Sequence, residues 1–420
     1  MRTDRIHPAR AFTVVELLVV LVIIMIVLTV ATPAFQSMVY SAARSEAANT
    51  VNAAALAARE LALRSPSGDD AAVVFVHDRD GAFRVIPAVR VGSILEPVYG
   101  AGGLSGGGEV PLGGRPRVKR DVFAPVPEMA GFQMPAFWSV RGYAPANSMI
   151  EYVAGERPRE DFAVWYNSDL YGGTDVSDTT SNPKREGNWV FPETAFYDVD
   201  RQASPTGPNS RTGRQSFMIR FDSATGAVSA DRSPALFIDP RPSTADRLGQ
   251  ARPRADERWL RPDRAEHLGD WARAIINSPP FAANGRPLPP PYHEGHDTVR
   301  LSYIGTSSND TILVKPVTRL AVYDERAMAR DLGARGLNRA TQSLYALPDP
   351  GQGAPDIRID ASLFRSGVPG DLRRLINRWI DGDTTGPSGI PDGVIDENDR
   401  PQARIFLVRP GTGDLTEVLR

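Results

Sequence analysis

The chain opens on an apolar run that holds one carboxylate. From Phe12 to Leu28 the sequence reads FTVVELLVVLVIIMIVL, with Glu16 as its only charge, and it remains uncharged to Met38. About 20 such residues suffice to cross a bilayer as a helix. A carboxylate placed in hydrocarbon costs roughly 2.5–3.5 kcal/mol on insertion scales unless it is paired. No Lys or Arg lies within the run, so Glu16 needs a cationic partner from outside it. Arg2, Arg5 and Arg10 precede the run against a single Asp4. That bias predicts a cytoplasmic N-terminus, with everything after the helix on the far side of the membrane.

The free α-amino group of a processed chain can supply the missing cation. The pattern resembles the N-terminus of type IV prepilins and type II secretion pseudopilins. In that family a prepilin peptidase cuts before a Phe, and the new N-terminus is methylated. The Glu at the fifth mature position then pairs with the N-terminal amine of a neighbouring subunit. The resemblance implies cleavage between Ala11 and Phe12, methylation of Phe12, a pairing role for Glu16, and Pro33 as the family's helix proline. Ala11 departs from the family pattern, which has Gly before the cut. Two other readings compete. One is a plain signal anchor with a chance Glu. The other is a cleaved signal peptide, which needs a shorter apolar core and a small-x-small site after it. Ala31-Thr32-Pro33 is a poor version of such a site.

Composition narrows the rest. The 420 residues carry a net charge of −2, without the basic excess that nucleic-acid binding uses. Cysteine is absent, which removes disulfides and thiolate zinc sites. The 37 Gly and 36 Pro predict long irregular loops.

The expected fold class is α+β. Residues 1–11 form a leader and 12–64 a long N-terminal helix, transmembrane over about 14–34. Val51, Ala54, Ala55, Ala58, Leu61 and Ala62 recur at helical spacing, a narrow stripe suited to packing on a sheet. Residues 65–420 are expected to form an exported domain with an antiparallel β-sheet and two large insertions, at about 92–215 and 240–298. Hairpins are predicted at 71–86, 215–228 and 404–419, and strands at 299–304 and 320–323. Helices are predicted at 256–277 and 326–333. A long helix ending in Ala58-Arg59-Glu60-Leu61-Ala62-Leu63-Arg64, followed by an apolar strand, resembles the H-type pseudopilins.

One stretch has the chemistry of a metal site. Asp381, Asp383, Asp392, Gly393, Val394, Ile395, Asp396 and Asp399 follow the order of an EF-hand-like calcium loop, with Val394 contributing its carbonyl and Ile395 the apolar anchor. Thr384 to Pro391 inserts eight residues where one is usual. Residues 371–380 supply a plausible entering helix, and the alternative is an acidic, turn-rich surface loop. His293 and His296 lack the His-Glu-x-x-His spacing of a metalloprotease. No nucleophile elbow or Cys nucleophile is present, and an enzyme is not expected. The expected function is a structural subunit of a type II secretion pseudopilus or type IV pilus. Its expected partners are prepilin peptidase, other pilin or pseudopilin subunits and membrane lipid. The expected location is the inner membrane, single-pass, with the C-terminal domain periplasmic or extracellular. The rival is a membrane-tethered binding or enzymatic domain that uses a pilin-type signal.

Overall fold

A computed structural model describes residues 14–77, 83–96, 118–127, 129, 131–144, 188–190, 194–195, 214–231, 233–240, 261–262, 264–279, 304, 311–334, 345–346, 358–359, 369–382 and 403–418. The chain divides into two units, Met1–Glu46 and Ala47–Arg420. One helix, α1 (Val14–Arg64), begins in the first and ends in the second. Its 51 residues make it about 77 Å long at 1.5 Å per residue.

In the first unit the large apolar side chains of α1 are exposed from Val14 to Tyr40. The helix runs through Pro33. That residue has no N–H to donate, so the Thr29 carbonyl loses its usual intrahelical donor. The hydroxyls of Thr29, Thr32 and Ser45 donate back to the carbonyls of Met25, Leu28 and Ser41, at 2.7, 2.7 and 3.0 Å. Each is thereby satisfied within the helix and adds no polar demand on the surroundings.

In the second unit α1 turns an alanine face inward. Ala47, Ala48, Val51, Ala54, Ala55, Ala58 and Ala62 are all buried. This is the stripe expected from the spacing, except that Leu61 is only half-buried. The strands that follow are β1 (Ala71–His77), β2 (Phe83–Glu96), β3 (Val118–Pro125), β4 (Phe132–Gln133), β5 (Trp138–Ala144), β6 (Asn188–Val190), β7 (Thr194–Ala195), β8 (Arg214–Phe221), β9 (Ala235–Ile238), β10 (Thr311–Pro316), β11 (Arg319–Asp324), β12 (Tyr345–Ala346), β13 (Arg358–Ile359), β14 (Arg404–Val408) and β15 (Leu415–Glu417).

Six of these strands close on themselves. The order is β1, β2, β3, β9, β10, β8 and back to β1. A ring of six is narrow, so its interior is filled by side chains. On β1, Ala72, Val74 and Val76 point into it, and they meet Phe123 from β3, Met218 from β8 and Phe237 from β9 in one buried cluster. The opposite face of β1 is equally dry, with Ala71, Val73 and Phe75 fully buried. A strand buried on both faces reads as an unbroken apolar run, which is the sequence AAVVFVH.

The expected sheet was antiparallel, and closure changes that. β3 with β9 and β8 with β10 pair in parallel. Parallel neighbours need a crossover of a dozen or more residues, and long connections separate both pairs in the sequence. The expected insertion at 92–215 is also corrected. It contains the end of β2 and all of β3 to β7, with Val122, Phe123, Trp138, Val140 and Trp189 in the core. Three consecutive charges, Lys119-Arg120-Asp121, mask β3 in the sequence, because two of them are accommodated inside the fold. Likewise the stretch 240–298 contains a core helix, α2 (Leu268–Asn277). Its Leu268, Trp271, Ala272 and Ile275 cover the outer face of β2, β3 and β9. Of the helix predicted over 256–277, α2 accounts for 268–277 and a 3-10 turn at Ala265–His267 leads into it, while residues 256–260 and 263 lie outside the described set. Of the strand predicted at 299–304, only Ile304 is described.

A second sheet has the order β15, β14, β11, β5, β6 and is antiparallel throughout. It shares a segment with the barrel. β10 leaves the ring, passes through Val317 and Thr318, and becomes β11. The barrel meets the second sheet where the outward ring of Phe217 lies against Gly142. Phe217 on β8 stacks on Phe75 with centroids 4.8 Å apart. A Cβ built on Gly142 of β5 would lie 2.6 Å from the Phe217 ring. Two helices complete the described elements: α3 (Glu325–Asp331), capped by the Asp324 carboxylate, and α4 (Pro369–Asp381).

That approach predicts the effect of one methyl group. Gly142→Ala forces either the buried Phe217 ring or β5 to move, and overpacking of this kind costs about 1–3 kcal/mol. Thermal denaturation should show a lower midpoint for Gly142→Ala, while alanine at Gly411, where a Cβ has open space, leaves the midpoint near wild type.

Candidate functional site

Three places carry the residues of interest: the start of α1, one end of the barrel, and the end of α4. Among the described residues α1 is the one helix long and apolar enough to cross a membrane. Glu16 occupies its first turn, where the positive end of the helix dipole favours a carboxylate. Pro33 lies within the same helix. Ala11 and Phe12 lie outside the described residues.

Beyond the apolar stretch, the end of α1 is held by two contacts to turns of the second unit. A Cβ on Gly226 would lie 2.8 Å from Leu63, and the Arg59 guanidinium lies 3.7 Å from Asp414. Gly413, at φ +71°, lets that second turn fold against the ring of Phe221.

One end of the barrel is closed by charge. Strand alternation places Arg220 on the inward face with Met218, and Asp121 with Phe123. The Arg220 guanidinium lies over the Phe123 ring, 5.5 Å from its centre. From there it reaches Asp70 at 2.7 Å, Asp121 at 2.6 Å and Asp231 at 2.9 Å. Arg90 approaches Asp121 to 3.0 Å and donates to Ser93, whose hydroxyl donates to Asp121 at 2.6 Å. Burial alone pushes the Asp121 carboxyl up. The Ser93 hydroxyl and the guanidinium groups of Arg220 and Arg90 outweigh it and hold the group below its usual range. None of these residues was singled out from the sequence. The available signal was Arg220 among the apolar residues at the end of β8, Phe217-Met218-Ile219-Arg220-Phe221. A charge in such a position requires a partner.

A second buried polar group lies in the five-stranded sheet. Arg141 is fully buried, and its Nε donates to the Tyr323 hydroxyl at 2.8 Å. Burial pushes the Tyr323 phenol up to about 12, against the opposing effect of Arg141. Nearby, Arg319 lies over both the Tyr143 and Trp189 rings, 4.9 and 5.0 Å from their centres. It donates to Asp381 Oδ1 at 2.9 Å, while Trp189 Nε1 donates to Asp381 Oδ2 at 3.0 Å. The first residue of the expected calcium loop is thus the last residue of α4, with both carboxylate oxygens engaged by protein donors. Asp383, Asp392, Val394, Asp396 and Asp399 lie outside the described residues, as do His293 and His296. Among the described residues no cluster of three or more His, Asp or Glu is arranged to hold a metal.

Comparison with known proteins bears on the first of these places. Residues 6–32 match the family model of the prokaryotic N-terminal methylation motif. The match includes Ala11, Phe12 and Glu16 and ends one residue before Pro33. No curated protein and no solved structure matches the chain. The motif and the exposed apolar helix define a membrane-anchored protein with a prepilin-type N-terminal signal. Together they support a type IV pilin-like protein.

The barrel-end network has a definite pH signature. The folded pKa of Asp121 lies below its unfolded value, which is about 3.9. Its contribution to stability is therefore complete above about pH 4 and is lost as pH falls through the folded value. Arg220→Met leaves three carboxylates without their shared cation, and breaking a buried pair in this way costs about 3–5 kcal/mol. Denaturant titrations should show a large loss for Arg220→Met at pH 7 and a smaller one as the pH falls through the lowered folded value of Asp121.

Proposed function

We propose that the chain is a structural subunit of a pilin-like filament, either a type II secretion pseudopilus or a type IV pilus, within which it resembles the H-type pseudopilins. The observation that carries this reading is the methylation motif at residues 6–32 on a helix whose apolar side chains are exposed from Val14 to Tyr40. Such a surface is stable in lipid or against other apolar helices. In this reading prepilin peptidase cuts between Ala11 and Phe12, and Phe12 becomes the methylated N-terminus. Glu16 pairs with the N-terminal amine of a neighbouring subunit and so sets the axial register. An unpaired carboxylate in hydrocarbon penalises every other register. The domain faces the periplasm or the exterior, and its role is assembly and not catalysis.

Two measurements test it. Mass spectrometry of the assembled protein should find an N-methylated Phe12 at the N-terminus; an intact Met1 there would sink the processing step. Glu16→Val should remain inserted, because removing the charge favours the apolar phase, but it should fail to enter filaments. Normal incorporation of that variant would remove the register role.

For the acidic stretch 381–399 the spacing of carboxylates supports calcium binding. Because Asp381 already accepts from Arg319 and Trp189, the proposed ligands are Asp383, Asp392, the Val394 carbonyl, Asp396 and Asp399, with Asp381 joining only if it releases Arg319. Calcium at about 100 times its Kd should stabilise the protein by roughly 2.7 kcal/mol. The gain should shrink in Asp383→Ala and Asp392→Ala. Calorimetry that shows no binding up to millimolar calcium leaves the stretch an acidic turn.

A further inference from the structure

The six residues between α1 and β1 are bonded far across the chain. Asp70 accepts from Arg220 through Nε at 2.8 Å and Nη2 at 2.7 Å, and from the Ser223 amide at 3.2 Å. Its own carbonyl accepts from the Arg90 amide at 2.8 Å. The Ser223 hydroxyl donates to the Gly68 carbonyl at 2.7 Å. Asp69 pairs with Arg273 of α2 at 3.3 Å, and its amide is held by the Ser65 hydroxyl. The connection is thus fastened to β2, to β8, to the turn after β8 and to α2. Arg220 in turn is tied to Asp121 of β3 and to Asp231. A link that merely joins a helix to a strand needs none of these bonds.

We propose that this connection is a mechanical clasp, which transfers tension on α1 into the closed end of the barrel before β1 is loaded. The consequence follows from topology. β1 lies between β2 and β8, and its first residue, Ala71, pairs with both Val89 and Phe221. Without the clasp, any pull on α1 that frees the alanine face reaches Ala71 directly and opens the ring. With it, the pull is first shared among Arg90, Arg220, Ser223 and Arg273, which belong to separate elements. The physiological use rests on the reading of α1 as an assembly helix, where a subunit is held by its helix. The clasp itself does not depend on that reading.

Single-molecule force spectroscopy on the full chain in lipid nanodiscs tests the proposal. The chain has no cysteine, so handles can be attached cleanly at Asn49→Cys on the exposed side of α1 and Gln133→Cys on β4, both exposed positions. Asp70→Asn and the milder Ser223→Ala should each lower the main rupture force. The control is Arg404→Met, which breaks the Arg404–Glu417 pair between β14 and β15, outside the pulled segment. It should lower the melting temperature and leave the rupture force unchanged. Wild-type rupture forces in both clasp variants would overturn the proposal, as would an equal force loss in Arg404→Met at matched thermal destabilisation. If Glu16→Val enters filaments normally, the assembly reading fails while the force comparison keeps its meaning.

Discussion

Ring closure is the constraint on which the described domain depends. A ring of six strands is narrower than the eight-stranded barrels whose interiors side chains just fill, so every inward position must be small or mutually complementary. Alanines at 72, 88 and 235 alternate with Phe123, Phe237 and Met218 in that space. Once the ring is closed, both faces of β1 are buried, and each outer surface needs a cover. The second sheet lies against β8 through Gly142 and Phe217, and α2 covers β2, β3 and β9. The end of such a ring is the natural place for charge, because water is near and the interior is not. Arg220 and its three carboxylates occupy that place.

The two units obey different solvents. From Val14 to Tyr40, α1 exposes leucine, isoleucine and valine without relief, a surface that water penalises. From Ala47 onward the same helix buries alanines. Small side chains allow close approach and leave room for the helix to be held by specific contacts at its end, Leu63 on Gly226 and Arg59 on Asp414. One continuous element is thereby suited to lipid at one end and to a protein surface at the other.

Function and fold have different sources here. The methylation motif accounts for residues 6–32, and the proposed assembly role rests there. The barrel, the second sheet and the α4 anchor lie outside that match. In α4, Asp381 shows how sequence spacing and structure divide a residue's role: its position in an acidic series fits a calcium loop, while its bonds to Arg319 and Trp189 hold the helix end to the sheet.

The long helix, its apolar and alanine faces, and the hairpins at 71–86 and 404–419 were legible in the sequence, the last of these being described to 417. Each is a local pattern, either an uninterrupted apolar run or a repeat whose period matches its own secondary structure. The motif around Phe12 and Glu16 was legible for a related reason: a charge within an apolar run is conspicuous wherever it falls. Tertiary structure alone decided the rest. The parallel pairings β3–β9 and β8–β10 join strands separated by long connections, and no local signal encodes such a partner. β3 was hidden because Arg120 and Asp121 read as surface residues, although the fold buries Arg120 and pairs Asp121 with Arg220. Arg220 and Asp70 lie 150 residues apart, and only closure of the ring brings them to one place.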